Sequence, residues 1–237
     1  MADFHQNGNI TTLHNLRTRV VAEMEAELNA FAATRKISLI LPCLYSELEG
    51  DAMPHILTEL AKVNYLHRII VGLDAADEKQ FRHAKSFFKG LNQNHIVIWN
   101  ASPRMLALGA RLRELGLAPS EQGKGKNVWS SLGYLMSCAD SAVMAIHDCD
   151  ILTYDKEMLA RLVYPVANPT FPYQVAKGYY ARIGGGKLNG RVTRLLVSPL
   201  LIALNRVSGP RDYIDYLRSF RYPLSGELAM RTAILPD

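Results

Sequence analysis

Short apolar runs too brief for helices alternate along this chain with stretches of helical periodicity. Ile37-Ser-Leu-Ile-Leu41, His67-Arg-Ile-Ile-Val71, Ile96-Val-Ile-Trp99 and Ser141-Ala-Val-Met-Ala-Ile146 have the length of buried strands. Helical patterns fill the intervals, over about 53–64, 78–89, 104–115 and 128–139. Strand and helix in alternation predict an α/β fold with a mostly parallel, doubly wound sheet. Right-handed crossovers then bring every C-terminal strand end to one edge, where open α/β sheets bind ligands. Pro42, which has no N–H to donate, is expected to stop the first strand.

The flanks read differently. Leu16, Val20, Val21, Met24, Leu28 and Phe31 recur at helical spacing over 15–34, an amphipathic helix packed outside the sheet. Beyond residue 152 come a strand over 175–181, a glycine-rich loop over 184–190 and an apolar helix from Arg191 to about Asn205. A mixed aromatic and charged helix follows over 211–220. The expected division is an N-terminal helical extension over 1–35, an α/β subdomain over 36–152 and a second subdomain over 153–237.

With 237 residues the chain can bury one sizeable core. The net charge of +5 is carried by basic residues dispersed along the sequence, without the aromatic and basic interleaving of nucleic-acid binders. No nucleic-acid partner is expected, and substrates carrying several phosphates account for the sign. The apolar stretch over 195–204 is interrupted by Ser198 and Pro199 and is too short to span a bilayer, so no membrane partner is expected. The opening 15 residues are polar and lack a signal-peptide pattern. The three cysteines, Cys43, Cys138 and Cys149, have the spacing of neither a disulfide framework nor a zinc site, and read as reduced thiols of a cytoplasmic protein.

Chemistry concentrates at the strand ends. Asp148-Cys149-Asp150 follows the fourth strand, and two carboxylates so placed repel unless a cation lies between them. Oxygen ligands suit Mg²⁺ or Mn²⁺, although the same tripeptide also caps helices and lines solvated turns. Upstream, Lys124 stands between Gly123 and Gly125, where backbone can approach a diphosphate closely and an ammonium can reach it; an exposed loop lysine is the alternative. Neither a Gly-x-Gly-x-x-Gly turn after the first strand nor a Walker loop is present. Gly190-Arg191-Val192-Thr193 runs from a glycine-rich loop into a helix start, a place suited to phosphate or to an ordinary N-cap. Asp77 reads as part of a solvated turn, and His147, facing away from Asp148, as a core residue or one that supports the site from behind.

Five segments in order resemble the retaining glucosyl-3-phosphoglycerate synthase family. They are Leu41-Pro-Cys-Leu-Tyr-Ser-Glu47, Gly123-Lys-Gly125, Asp148-Cys-Asp150, Gly190-Arg-Val-Thr193 with Pro199-Leu-Leu201, and Pro223-Leu-Ser-Gly-Glu227. The resemblance covers most of the chain from Leu39 onward. It implies a Rossmann-like glycosyltransferase-A fold and metal-dependent transfer of glucose from UDP-glucose to 3-phosphoglycerate with retention. It further implies donor binding by Pro42, Leu44, Glu47, Asp74, Lys124 and Asp148, and acceptor binding by Gly190, Arg191, Val192 and Thr193. Asp150 is the implied ligand of Mg²⁺ or Mn²⁺, and the protein is expected to be a homodimer. Tyr45 and Ser46 depart from the family's Asn-Glu pair. A further metal ligand, a histidine, is implied beyond the Pro-Leu-Ser-Gly-Glu stretch; the 237 residues end before it, so the acceptor subdomain is expected to be incomplete.

No catalytic side chain is assigned, because no carboxylate nucleophile stands out; leaving-group-assisted attack on one face of the sugar fits better than double displacement. Another sugar nucleotide, as in mannosyl transfer to a phosphoglycerate-like acceptor, is an alternative, and so is a non-catalytic sugar-nucleotide-binding protein. A nucleotidyltransferase would need a Gly-x-Gly-x-x-basic loop after the first strand, which 42–50 lacks.

Overall fold

A computed structural model of the protein describes residues 10–14, 19–119, 121–180, 183–184, 187–188 and 192–235. Their strands are β1 (Ile37–Leu44), β2 (Leu66–Asp74), β3 (His95–Trp99), β4 (Val143–Ile146), β5 (Val175–Lys177), β6 (Ile183–Gly184), β7 (Lys187–Leu188) and β8 (Leu228–Arg231). The helices are α1 (Val21–Ala32), α2 (Ala52–Leu60), α3 (Glu78–Phe87), α4 (Pro103–Glu114), α5 (Lys124–Cys138), α6 (Lys156–Ala167), α7 (Ser198–Ser208) and α8 (Asp212–Ser219).

The main sheet has the order β3-β2-β1-β4-β8-β5. β3, β2, β1 and β4 are parallel, and β8 runs antiparallel to both β4 and β5. The expected α/β class and mostly parallel sheet are therefore present. β1 is buried at every position before Leu44 because helices cover both of its faces. Leu39, Leu41 and Cys43 face a large core shared with Met24 and Leu28 of α1, Met53 and Ile56 of α2, and Leu159 and Val163 of α6. Ile40 faces a smaller core with Ile70, Met144 and Leu135 of α5.

Pro42 does not stop β1. The strand continues to Leu44 and stays paired with β2, Pro42 lying opposite Gly72. Pairing with β4 ends at Ile40–Ile146, and Ile40 O accepts the His147 N–H at 3.2 Å just beyond. Pro42 has the parity of Ile40, so its missing N–H falls on the side where β4 has already ended. No ladder bond is lost there.

Contacts divide the chain into two units, Arg19–Lys177 with Glu227–Asp237, and Met1–Thr18 with Gly178–Gly226. The expected boundaries at 35 and 152 do not coincide with them. α1 and α6 pack on one another, and β5 and β8 complete the main sheet, so all four belong to the first unit. The second unit contains the antiparallel β6–β7 pair, α7 and α8. Neither α7 nor α8 has a buried residue. No helix among the described residues is long and apolar enough to cross a membrane.

Candidate sugar-nucleotide site

The C-terminal ends of β1, β2 and β4 form the candidate site. β4 ends at Ile146, leaving Asp148 partly exposed and Asp150 exposed, while Cys149 between them is buried. Beyond the strand end both carboxylates are on the solvent side and the thiol is turned inward.

Lys124 lies in the first turn of α5. A linker over 116–125 and a helix from Val128 were expected, but the helix begins at Lys124. Gly123 precedes it at φ 134°, a backbone angle that side chains other than hydrogen rarely allow. The Lys124 ammonium is ion-paired with the Asp148 carboxylate. A helix N-terminus, a lysine and a carboxylate pair thus meet within one stretch of sheet edge.

Glu47 sits half-buried in the 3₁₀ turn Tyr45–Glu49, and its Oε2 accepts the Leu44 N–H at 2.7 Å. Burial raises its pKa; bonds from Leu44 and Cys43 oppose the rise, and the charges of Asp150 and Asp148 add to it. The last effect records that the turn after β1 and the acidic pair after β4 share one electrostatic environment. Pro42 is buried and Leu44 is 46% exposed at the strand end.

Asp74 closes β2. Its two oxygens accept from Asn100 Nδ2 at 3.0 Å and from Asn127 Nδ2 at 2.9 Å. Asn127 also donates to Gly72 O at 2.8 Å, which ties α5 to β2. A Cβ at Gly72 would overlap Asn127 Oδ1 and lie 2.7 Å from Ser131 Oγ, so the close approach requires glycine. Asp77 is the N-cap of α3, its Oδ1 accepting the Gln80 N–H at 2.7 Å.

Sequence reasoning passed over Asn100, Asn127 and Lys177. Lys177, at the end of β5, has its pKa lowered by burial, while Glu227 and Asp148 raise it and Lys124 lowers it further. It is a second cation within electrostatic reach of Asp148, and the pairing of β5 with β8 brings it there. His147 is fully buried as expected, its ring 5.4 Å from that of Tyr154, and neither ring nitrogen has a hydrogen-bond partner among the described residues.

In the second unit, Gly190 and Arg191 lie outside the described residues. Val192 is exposed and starts the helical stretch that runs through a π-type turn over Thr193–Val197 into α7. Thr193 Oγ1 is buried and has no hydrogen-bond partner among the described residues.

No family model matches the chain. A glucosyl-3-phosphoglycerate synthase of Persephonella marina is 49% identical over 229 residues, covering 97% of this chain and 57% of that protein. The synthase of Methanococcoides burtonii is 36% identical over 234 residues, 96% of this chain and 56% of that one. Among solved structures, the synthase of Mycobacterium tuberculosis in complex with Mn²⁺, UDP and glucosyl-3-phosphoglycerate superposes with a TM-score of 0.60 at 23% identity. That match covers 94% of this chain and 64% of that chain. The same enzyme with Mn²⁺, UDP-glucose and glycerol 3-phosphate gives a TM-score of 0.61 at 22% identity; at these identities the likeness speaks for the fold. By sequence and fold together the chain is a homologue of the glucosyl-3-phosphoglycerate synthases, and it spans a little over half the length of the relatives it matches.

Proposed function

We propose that the protein is a metal-dependent retaining glycosyltransferase that moves glucose from UDP-glucose to 3-phosphoglycerate. The observation that carries the reading is the Lys124–Asp148 pair beside Asp150 at the sheet edge, in a chain 49% identical to a synthase of that name. A cytoplasmic location and a homodimer belong to the same reading.

In the proposed donor complex, Pro42, Leu44, Glu47 and Asp74 hold the uridine. Lys124 exchanges its bond to Asp148 for the diphosphate, which presents a stronger concentration of charge at the α5 N-terminus. Asp148 is then free to turn toward the ribose. The donor set fits a hard divalent cation: Asp150 is an exposed carboxylate two residues from Asp148, and oxygen ligands of this kind suit Mg²⁺ or Mn²⁺. Asp150 would hold Mg²⁺ or Mn²⁺, which offsets charge growing on the leaving diphosphate. No carboxylate is assigned as nucleophile, so the leaving diphosphate itself takes the acceptor proton on the same face. For the acceptor, Arg191 pairs with the phosphate, and Gly190, Val192 and Thr193 supply backbone and hydroxyl donors at the helix start. The Thr193 hydroxyl, which has no hydrogen-bond partner among the described residues, is consistent with that role.

The test is acceptor choice. With UDP-glucose and Mn²⁺, product formation should occur with 3-phosphoglycerate and fall away with glycerate, and Arg191→Ala should raise KM for 3-phosphoglycerate while UDP binding stays near wild type. Equal use of both acceptors would overturn the phosphate site. Transfer from GDP-mannose in preference to UDP-glucose would shift the reading to the mannosyl alternative.

A further inference from the structure

Cys43 and Cys149 stand far apart in sequence, in a spacing that resembles no zinc motif. The fold nevertheless joins them. Cys43 is on the last turn of pleat in β1 and Cys149 follows β4, and both thiols point to the larger core. The two Sγ atoms and a Glu47 carboxylate oxygen all lie within 4.8 Å of one another. Each thiol is 1% exposed, while Glu47, half-buried, is the side of the cluster that reaches the surface.

A tetrahedral Zn²⁺ with bonds of about 2.3 Å to sulfur and about 2.1 Å to oxygen separates its ligands by roughly 3.5–3.8 Å. The three atoms would have to draw together by at most about 1 Å, a side-chain adjustment at the end of a strand and in a 3₁₀ turn. Cys43 Sγ now donates to Leu44 O at 3.2 Å, a weak bond that coordination would replace. We propose that Cys43, Cys149 and Glu47 form a binding site for a thiophilic divalent cation of the Zn²⁺ class, separate from the hard-cation position at Asp150. On binding, each thiol releases its proton to solvent and the cation takes both sulfur lone pairs, with no change of oxidation state. Two sulfurs favour Zn²⁺ or Cd²⁺ over Mg²⁺ and Mn²⁺, whereas Asp150 has the opposite preference.

The site itself does not depend on the proposed transfer reaction. One consequence does: with Glu47 also a donor ligand, a seated thiophilic cation and the sugar nucleotide would exclude one another.

Cd²⁺ is the probe. Titrated into the reduced, intact chain, it should give a sulfur-to-cadmium charge-transfer band in the ultraviolet that saturates at one equivalent and survives excess Mg²⁺. Cys43→Ser and Cys149→Ser should each abolish the saturable band, Glu47→Gln should weaken binding by about tenfold or more, and Cys138→Ser should leave it intact. A band that follows Cys138, or that persists unchanged in Cys149→Ser, overturns the site. Should either serine variant fail to fold, X-ray absorption of the Zn²⁺-loaded unmutated protein decides: two sulfur neighbours support the site, and a first shell of nitrogen and oxygen alone refutes it. A negative result leaves UDP binding with Mn²⁺ untouched, so failure here and failure of the transferase reading are separable.

Discussion

Lys124 and Asp150 make the donor reading testable at single residues. The Lys124 ammonium is paired with Asp148 and exposed at 53% of its side chain, so losing it should cost the fold little. Its charge-assisted bond to a diphosphate is worth more. Lys124→Ala should weaken UDP-glucose binding by about 1.5–3 kcal/mol with the melting temperature nearly unchanged; a drop in stability without a drop in affinity would make the lysine structural. Asp150→Ala should remove the dependence of UDP binding on Mg²⁺ or Mn²⁺ in calorimetric titration. Unchanged metal dependence there would take Asp150 out of the site. Both residues were legible in the sequence because their chemistry is stated by residue type and local spacing. Asn100, Asn127 and Lys177 were not, since each acquires its role only from what another element places beside it.

The junction of β2 with α5 is the element on which the site's geometry depends. Asn127 reaches from the first turns of α5 to Gly72 O and Asp74 Oδ2, so a single amide fixes the helix that carries Lys124 against the strand that carries Asp74. Gly72→Ala pushes a methyl into that amide. Overpacking of this kind costs about 1–3 kcal/mol, and because α5 must shift, donor affinity should fall together with stability in parallel denaturation and binding measurements. Preserved affinity at reduced stability would show that Asn127 does not position the site. α5 also shows why element boundaries escaped prediction: glycines at 123 and 125 argue for a loop by propensity. Yet the positive φ of Gly123 is what lets the chain turn into a helix at Lys124.

For the whole molecule, His147 links stability to pH. Burial holds its imidazole down to about 4, the nearby Asp148 charge opposing that shift only in part. In the unfolded chain it titrates near 6.5, so as pH falls below that value the unfolded state takes up a proton that the folded state refuses. The stability associated with a neutral His147 is complete above pH ~6.5 and is lost as pH falls toward 4, by up to roughly 3 kcal/mol. Urea denaturation of wild type and His147→Phe across this window should show the gap between them shifting in favour of the variant as pH drops; parallel curves would mean the imidazole titrates normally. Taken over the whole chain, the alternating apolar runs determined the α/β class and the parallel strands β1 to β4, because a buried strand and an amphipathic helix each declare their period locally. The acidic pair and Lys124 stood out by residue type and local spacing in the same way. Tertiary structure alone decided the rest. Leu228-Ala-Met-Arg231 contains no β-branched residue and becomes a strand only because β4 and β5 offer open edges on both sides. Pro42 stays in β1 because β4 ends two residues earlier in the register, and Cys43 meets Cys149 because adjacent parallel strands bring distant residues to one sheet edge.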